Sequence, residues 1–109
     1  MVKVFSIDGV TPVVHPTAFV HPRAVLIGDV IVGPGAYVAP CACLRGDIGR
    51  IVVGEGANVQ DNCLMHCFPT AECVIEDWGH VGHGTVMHGA RVGRHALVGG
   101  MMSPACTPF

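Results

Sequence analysis

The stretch VHPTAFVHPRAVLIGDVIVGPGAYVAPCACL, residues 14–44, places an aliphatic side chain at every sixth position: Val14, Val20, Leu26, Val32, Val38 and Leu44. Two places before the aliphatics from Val20 onward stand Ala18, Ala24, Val30, Ala36 and Ala42, nearly all small. In extended chain, residues two apart point to the same side. Both positions therefore face one interior, a large residue filling it and a small one fitting a corner. Turn formers such as Gly33-Pro34-Gly35 fall between the pairs, where the chain must change direction. A helix would need apolar residues at i, i+3, i+4 and i+7, and this stretch does not supply them.

Beyond Leu44 the phase jumps nine residues to Val53 and resumes at six with Val59 and Met65. After an interrupted stretch it returns at Val81 and Met87, drops one residue to Val92 and ends at Val98. Ile51, Ala57, Cys63, Gly79, Thr85, Ala90 and Ala96 continue the small column. Such self-similarity is the mark of a solenoid. The reading is a coil of short parallel strands, three hexads to the turn. Extra residues are expected as loops of three near Arg45–Val52 and about four near Phe68–Gly79. Successive turns should stack at roughly 4.8 Å.

The chain has 109 residues, half of them apolar and only 13% charged, with a formal net charge of −2. So little charge suggests that part of the surface is covered in an oligomer. No run of Lys or Arg points to nucleic acid or an anionic membrane. No window approaches the roughly 18 apolar residues of a membrane span, and the first ten residues lack the apolar core of a signal peptide. A cytoplasmic location is expected. The six cysteines form no CxxC pair and are expected as free thiols. Cys63, in the small inward position, reads as core.

Numbering the faces from Val14, the third face holds Leu26, Leu44, Met65 and Met87. Arg45, His66 and His88, each following one of these, should form an outward column. Two histidines one strand spacing apart can bind one ion, since Zn–N bonds are about 2.0–2.1 Å. His83 falls beside a neighbouring face, in the position matching Asp61 one turn earlier, and is better placed to meet a His66/His88 pair on another subunit. Three imidazoles with an open fourth position describe a catalytic zinc site. The plainer reading stands beside it. His15 and His21 also follow repeat aliphatics and have no evident partner, while His80 and His95 read as turn or surface residues.

The string Leu44-Arg-Gly-Asp47, then Asn58-Val-Gln60-Asp61-Asn62, His66, and Gly79-His-Val-Gly-His83-Gly-Thr-Val-Met-His88-Gly89 resembles the γ-class carbonic anhydrase-like family. Within it, the sequence looks most like the phenylacetate-degradation and carnitine-operon branch of hexapeptide-repeat proteins, over about residues 5–99. The resemblance implies a left-handed parallel β-helix assembled as a homotrimer with metal between subunits. His66 and His88 would come from one chain and His83 from its neighbour. Arg45 and Asp47 would pair near the interface, in catalytic support or as a plain salt bridge. Gln60 would contact the activated water or the substrate, and Asp61 would order the same network.

Zinc so held activates water near neutral pH, for attack on carbon dioxide or on an acyl-CoA thioester; Fe2+ and Co2+ also suit imidazole. In the resembled anhydrases a Glu follows the Arg-x-Asp motif, where this chain has Ile48. A second Glu lies in the loop after the first histidine, where this chain is near Pro69. Glu72, Glu76 and Asp77 are candidates to replace them, or simply a solvated loop. Efficient carbon dioxide hydration is therefore not expected. The alternatives are an acyl-CoA thioesterase or accessory protein of phenylacetate or carnitine metabolism, a metal-free hexapeptide acyltransferase with a histidine base, and an inactive assembly subunit.

The repeat occupies residues 1–99, and residues 100–109 keep no hexad register. The resembled proteins continue through further coils to a C-terminal helix. A truncated member, with impaired solubility or assembly, is expected.

Overall fold

Alternating burial along β4 (Val25–Val32) and β6 (Cys43–Val53) shows how the hexads become a solid. In β4 every second side chain from Leu26 to Val32 is buried, and those between are partly exposed. The computed structural model describes residues 3–99, and these contain thirteen strands and no helix. The chain is a parallel β-solenoid, and every strand pairing is parallel.

The first face is built from β2 (Val13–Val14), the second halves of β4 and β6, β9 (Glu72–Ile75) and β12 (Arg91–Val92). The second stacks β3 (Phe19–Val20), β5 (Tyr37–Val38), β7 (Asn58–Val59), β10 (His80–Val81) and β13 (Leu97–Val98). The third stacks β1 (Lys3–Phe5), the first halves of β4 and β6, β8 (Leu64–His66) and β11 (Val86–His88).

Register confirms the expected columns. Val20, Val38, Val59, Val81 and Val98 lie one above another, as do Leu26, Leu44, Met65 and Met87. All of these are buried, with Ala24, Ala36, Ala42, Ala57 and Cys63 filling the corners. Each large aliphatic taken from water contributes about 1.5–3 kcal/mol. That repeated gain, together with the inter-turn ladder, holds a coil with few charges.

Two corners of the turn run through left-handed backbone. One column is Cys41, Asn62 and Gly84; the other is Gly35, Gly56, Trp78 and His95. At these corners a backbone N–H reaches down to the turn below, as Trp78 does to the carbonyl of Glu55 at 2.8 Å. His95 is thus a turn residue, as expected. The Trp78 ring lies on Gly56, where an added Cβ would come within 2.1 Å of it.

Both phase jumps are real protrusions. Gly28 pairs with Gly46 and Val30 with Ile51, so β6 carries three extra residues opposite Asp29. The second is tighter in extent than the sequence implied. Leu44 pairs with Met65 and Ile51 with Cys73, so the added residues lie between Met65 and Cys73, and residues 76–79 form an ordinary corner. Cys73 and Ile75 are fully buried repeat positions that the periodicity had not revealed.

These two protrusions pack on each other. A Cβ on Gly49 would fall 2.4 Å from the carbonyl oxygen of Phe68 and 2.8 Å from that of Ala71, and the Arg50 N–H donates to Ala71. Only glycine lets the two loops approach this closely. Asp29 ties the first loop down through Arg50 at 3.1 Å. Residues 100–109, read as a tail outside the repeat, lie outside the described residues.

Candidate metal centre

The paired protrusions stand beside the outward column of the third face. Within that column His88 pairs with His66 in register, and their rings stack with centroids 5.2 Å apart and planes 25° from parallel. Phe68, carried by the second protrusion, covers the other side of His88 at 4.2 Å. Gly89 leaves the space that Phe68 occupies, since a Cβ there would meet its ring at 2.7 Å. His88 is therefore held between an imidazole and a phenyl ring.

Asp47, on the first protrusion, joins Arg45 to His66. Its Oδ2 accepts from Arg45 Nη2 at 3.0 Å and from Nε at 3.3 Å. Its Oδ1 lies 3.2 Å from His66 Nε2. That second contact is close without being aligned as a hydrogen bond, and both atoms are buried with no other partner. Burial is the largest influence on the Asp47 carboxyl and pushes its pKa up. The Arg45 hydrogen bond and charge, its own backbone N–H and His66 together outweigh burial, so the pKa is lowered. A carboxylate beside a ligand imidazole is the usual way a metal histidine is oriented.

His83 stands apart, strongly exposed, with its Nδ1 3.4 Å from Asp61 Oδ1. The match of Asp61 to His83 follows the expected register. Among the described residues no three His, Cys, Asp or Glu side chains of one chain converge on a common point. The structure thus brings Arg45, Asp47, His66 and His88 together and leaves His83 and Asp61 as a separate pair.

Gln60 belongs to a third group. Its Nε2 donates to Asn58 Oδ1 at 3.2 Å, and Asn58 Nδ2 is hydrogen-bonded to His80 Nδ1. His80 is therefore not a plain surface residue. The sequence held a signal for this, because Val59 and Val81 share a column and so must Asn58 and His80. Phe68 was read only as part of an insertion. His15 and His21 do local work, their Nδ1 atoms accepting from the N–H groups of Thr17 and Arg23.

Two of the three proposed replacements for a proton-carrying Glu, Glu76 and Asp77, are otherwise engaged, while Glu72 is exposed on β9. Glu76 pairs with Arg91 at 2.7 Å, and Asp77 Oδ1 accepts the Glu55 N–H at 2.9 Å. The described cysteines are all free thiols, and Cys63 and Cys67 lie in the core. Burial pushes the thiols of Cys43 and Cys63 up, away from the thiolate form a metal or nucleophile needs.

The family model described as bacterial transferase hexapeptide (six repeats) matches residues 11–46. The carnitine operon proteins CaiE of Escherichia coli O157:H7 and of strain K12 are each 57% identical over 95 residues, which is 87% of this chain. The match takes in 48% of those relatives, so the chain spans about half their length. A hexapeptide transferase family protein from Anaplasma phagocytophilum superposes with a TM-score of 0.84 at 38% identity, over 89% of this chain and 57% of that one. A Bacillus cereus protein designated an acetyltransferase by inference gives 0.88 at 28% identity, over 91% and 58%. With its six-residue repeat, its parallel coil and these likenesses, the chain belongs to the hexapeptide-repeat family.

Proposed function

We propose that copies of this chain form a homotrimer sharing zinc ions between subunits, in a carbonic anhydrase-like enzyme that activates water for attack on carbon dioxide. His66 and His88 of one copy and His83 of the next would be the ligands. The observation that carries this reading is the stacked, in-register His66/His88 pair with Asp47 behind it. Ligands of a tetrahedral zinc sit on the order of 3.3 Å apart at Zn–N bonds of about 2.0–2.1 Å, and two imidazoles on adjacent strands can tilt to that separation. His66 Nε2 faces Asp47 Oδ1 at 3.2 Å, so Nδ1 is the nitrogen that would meet the metal, with the carboxylate on the far side of the ring. A single chain supplies two neighbouring imidazoles, and the exposed His83 is free to serve a second copy.

Zinc held by neutral imidazoles supplies a water whose pKa is lowered to about 7. The residues of the chain do the rest. Asp47 fixes the His66 ring and is itself fixed by Arg45, and Phe68 holds His88 in place. Asp61 does for His83 what Asp47 does for His66. Gln60 offers its amide to the substrate or the attacking water. Fe2+ or Co2+ would be held by the same donor set.

A second reading is hydrolysis of an acyl-CoA thioester by the same centre. Ile48 and Phe68 are each about half exposed, at 52% and 53%, one on each of the two protrusions that pack together beside the His66/His88 pair. Such apolar walls suit an acyl or aryl group better than carbon dioxide. A third is acyl transfer without metal, as the names of the two structural relatives suggest. Parallel assays with carbon dioxide, aryl- and acyl-CoA thioesters, and an acyl acceptor, run on metal-loaded and metal-stripped protein, separate the three. Zinc-dependent hydration supports the first reading, and full acyl transfer by stripped protein would displace it.

The exposed Phe19, Tyr37 and Leu97 on the second face favour assembly, since Phe19 and Tyr37 stack at 5.6 Å as an open aromatic surface. Among the described residues no helix is long and apolar enough to cross a membrane.

A further inference from the structure

We infer that His80 is a positioning residue that sets which end of the Gln60 amide faces the reacting centre, acting through Asn58. The inference rests on the reading of Gln60 given above.

The hydrogen bonds run one way. Gln60 Nε2 donates to Asn58 Oδ1, so the oxygen of Asn58 is engaged and its Nδ2 is the end that meets His80 Nδ1. An amide nitrogen is a donor only. His80 Nδ1 must then carry the lone pair, with the ring proton on Nε2. Asn58 and His80 are register neighbours on adjacent strands, which keeps the pair in place. The consequence reaches Gln60. Its Nε2 is committed to Asn58, which leaves the acceptor Oε1 as the uncommitted end. An O–H donor, such as water or a hydroxyl, is the ligand this end selects.

Replacing His80 by a group that only donates would reverse every bond in the row. Asn58 would turn its oxygen toward position 80 and its nitrogen toward Gln60. Gln60 would turn in answer and present Nε2, a donor, which suits a carbonyl oxygen and opposes a donating water. His80 thus selects the chemistry Gln60 can support without touching the substrate itself.

The test uses the full chain with 15N-labelled His, Asn and Gln. Ring nitrogen shifts of wild type should show His80 with bare Nδ1 and protonated Nε2, and one Gln60 amide proton should exchange slowly. In His80→Gln the new side-chain oxygen can still accept from Asn58, and the Gln60 signal should persist. In His80→Lys it should be lost. Carbon dioxide hydration should fall about tenfold in kcat in His80→Lys relative to His80→Gln, with zinc content equal, a cost equivalent to about 1.4 kcal/mol. A wild-type ring protonated at Nδ1, or Gln60 signals alike in the two variants, would overturn the inference. The ring and amide spectra decide the role of His80 even if wild type proves to bind no zinc, which would overturn only the metalloenzyme reading.

Discussion

His66 and His88 lie twenty-two residues apart in sequence and directly opposite each other on adjacent parallel strands, their rings stacked at 5.2 Å. An ordinary turn of this coil takes eighteen residues, as between Leu26 and Leu44. The four extra residues do not disturb the pairing, because they leave the coil as a loop between Met65 and Cys73 and the chain re-enters in register. The same loop delivers Phe68 to His88.

Asp47→Asn should weaken zinc binding by roughly 10–100-fold, the usual cost of losing a carboxylate behind a ligand imidazole. Competition with a chromophoric chelator measures it. An unchanged affinity would reduce the Arg45–Asp47 pair to a structural tie.

The lowered pKa of Asp47 has a direct consequence for acid stability. Its folded value lies below the unfolded one of about 3.9. The stabilisation is therefore fully present above about pH 4 and is lost as pH falls through the folded value. Urea unfolding of metal-free protein between pH 6 and the acid limit should show a loss that Asp47→Asn diminishes. Equal acid slopes in the two proteins would contradict the assignment.

Gly56→Ala should cost about 1–2 kcal/mol, since an L residue other than Asn or Asp is strained in left-handed backbone. It should also displace Trp78, whose ring occupies the space of the added methyl. Trp78 is the one tryptophan in the chain, so its emission spectrum reports the shift without labelling. An unmoved spectrum would mean that the corner yields elsewhere.

Ile48→Glu should raise carbon dioxide hydration and lessen its dependence on added buffer. It places a proton-carrying group on the first protrusion, at the position where the resembled anhydrases have one. Stopped-flow rates across a buffer series test this. No change in either quantity would place the proton path elsewhere.

Much of the coil was legible because its period is strict: Val59 over Val81 and Met65 over Met87 follow from counting. Ile75 escaped because the loop before it hides the phase and Glu72 and Glu76 flank it like a solvated segment. The packing of the two loops was illegible for a different reason. It depends on Gly49 lying against the carbonyls of Phe68 and Ala71, a contact between segments with no periodic relation. His80 read as a surface residue because its partner is one turn away, and only its column shows the pairing. The candidate ligands were all visible as outward positions. That His66 and His88 meet within one chain while His83 stands apart also followed from the register; the stacking of the two rings and the reach of Phe68 and Asp47 to them needed coordinates.

The native mass of the assembly, determined together with its zinc content for wild type and His83→Ala, tests the shared centre most directly. The account predicts a wild-type trimer with one zinc per chain, and a His83→Ala trimer that has lost it. A monomer that binds zinc fully, or a His83→Ala trimer that keeps its zinc, would contradict it.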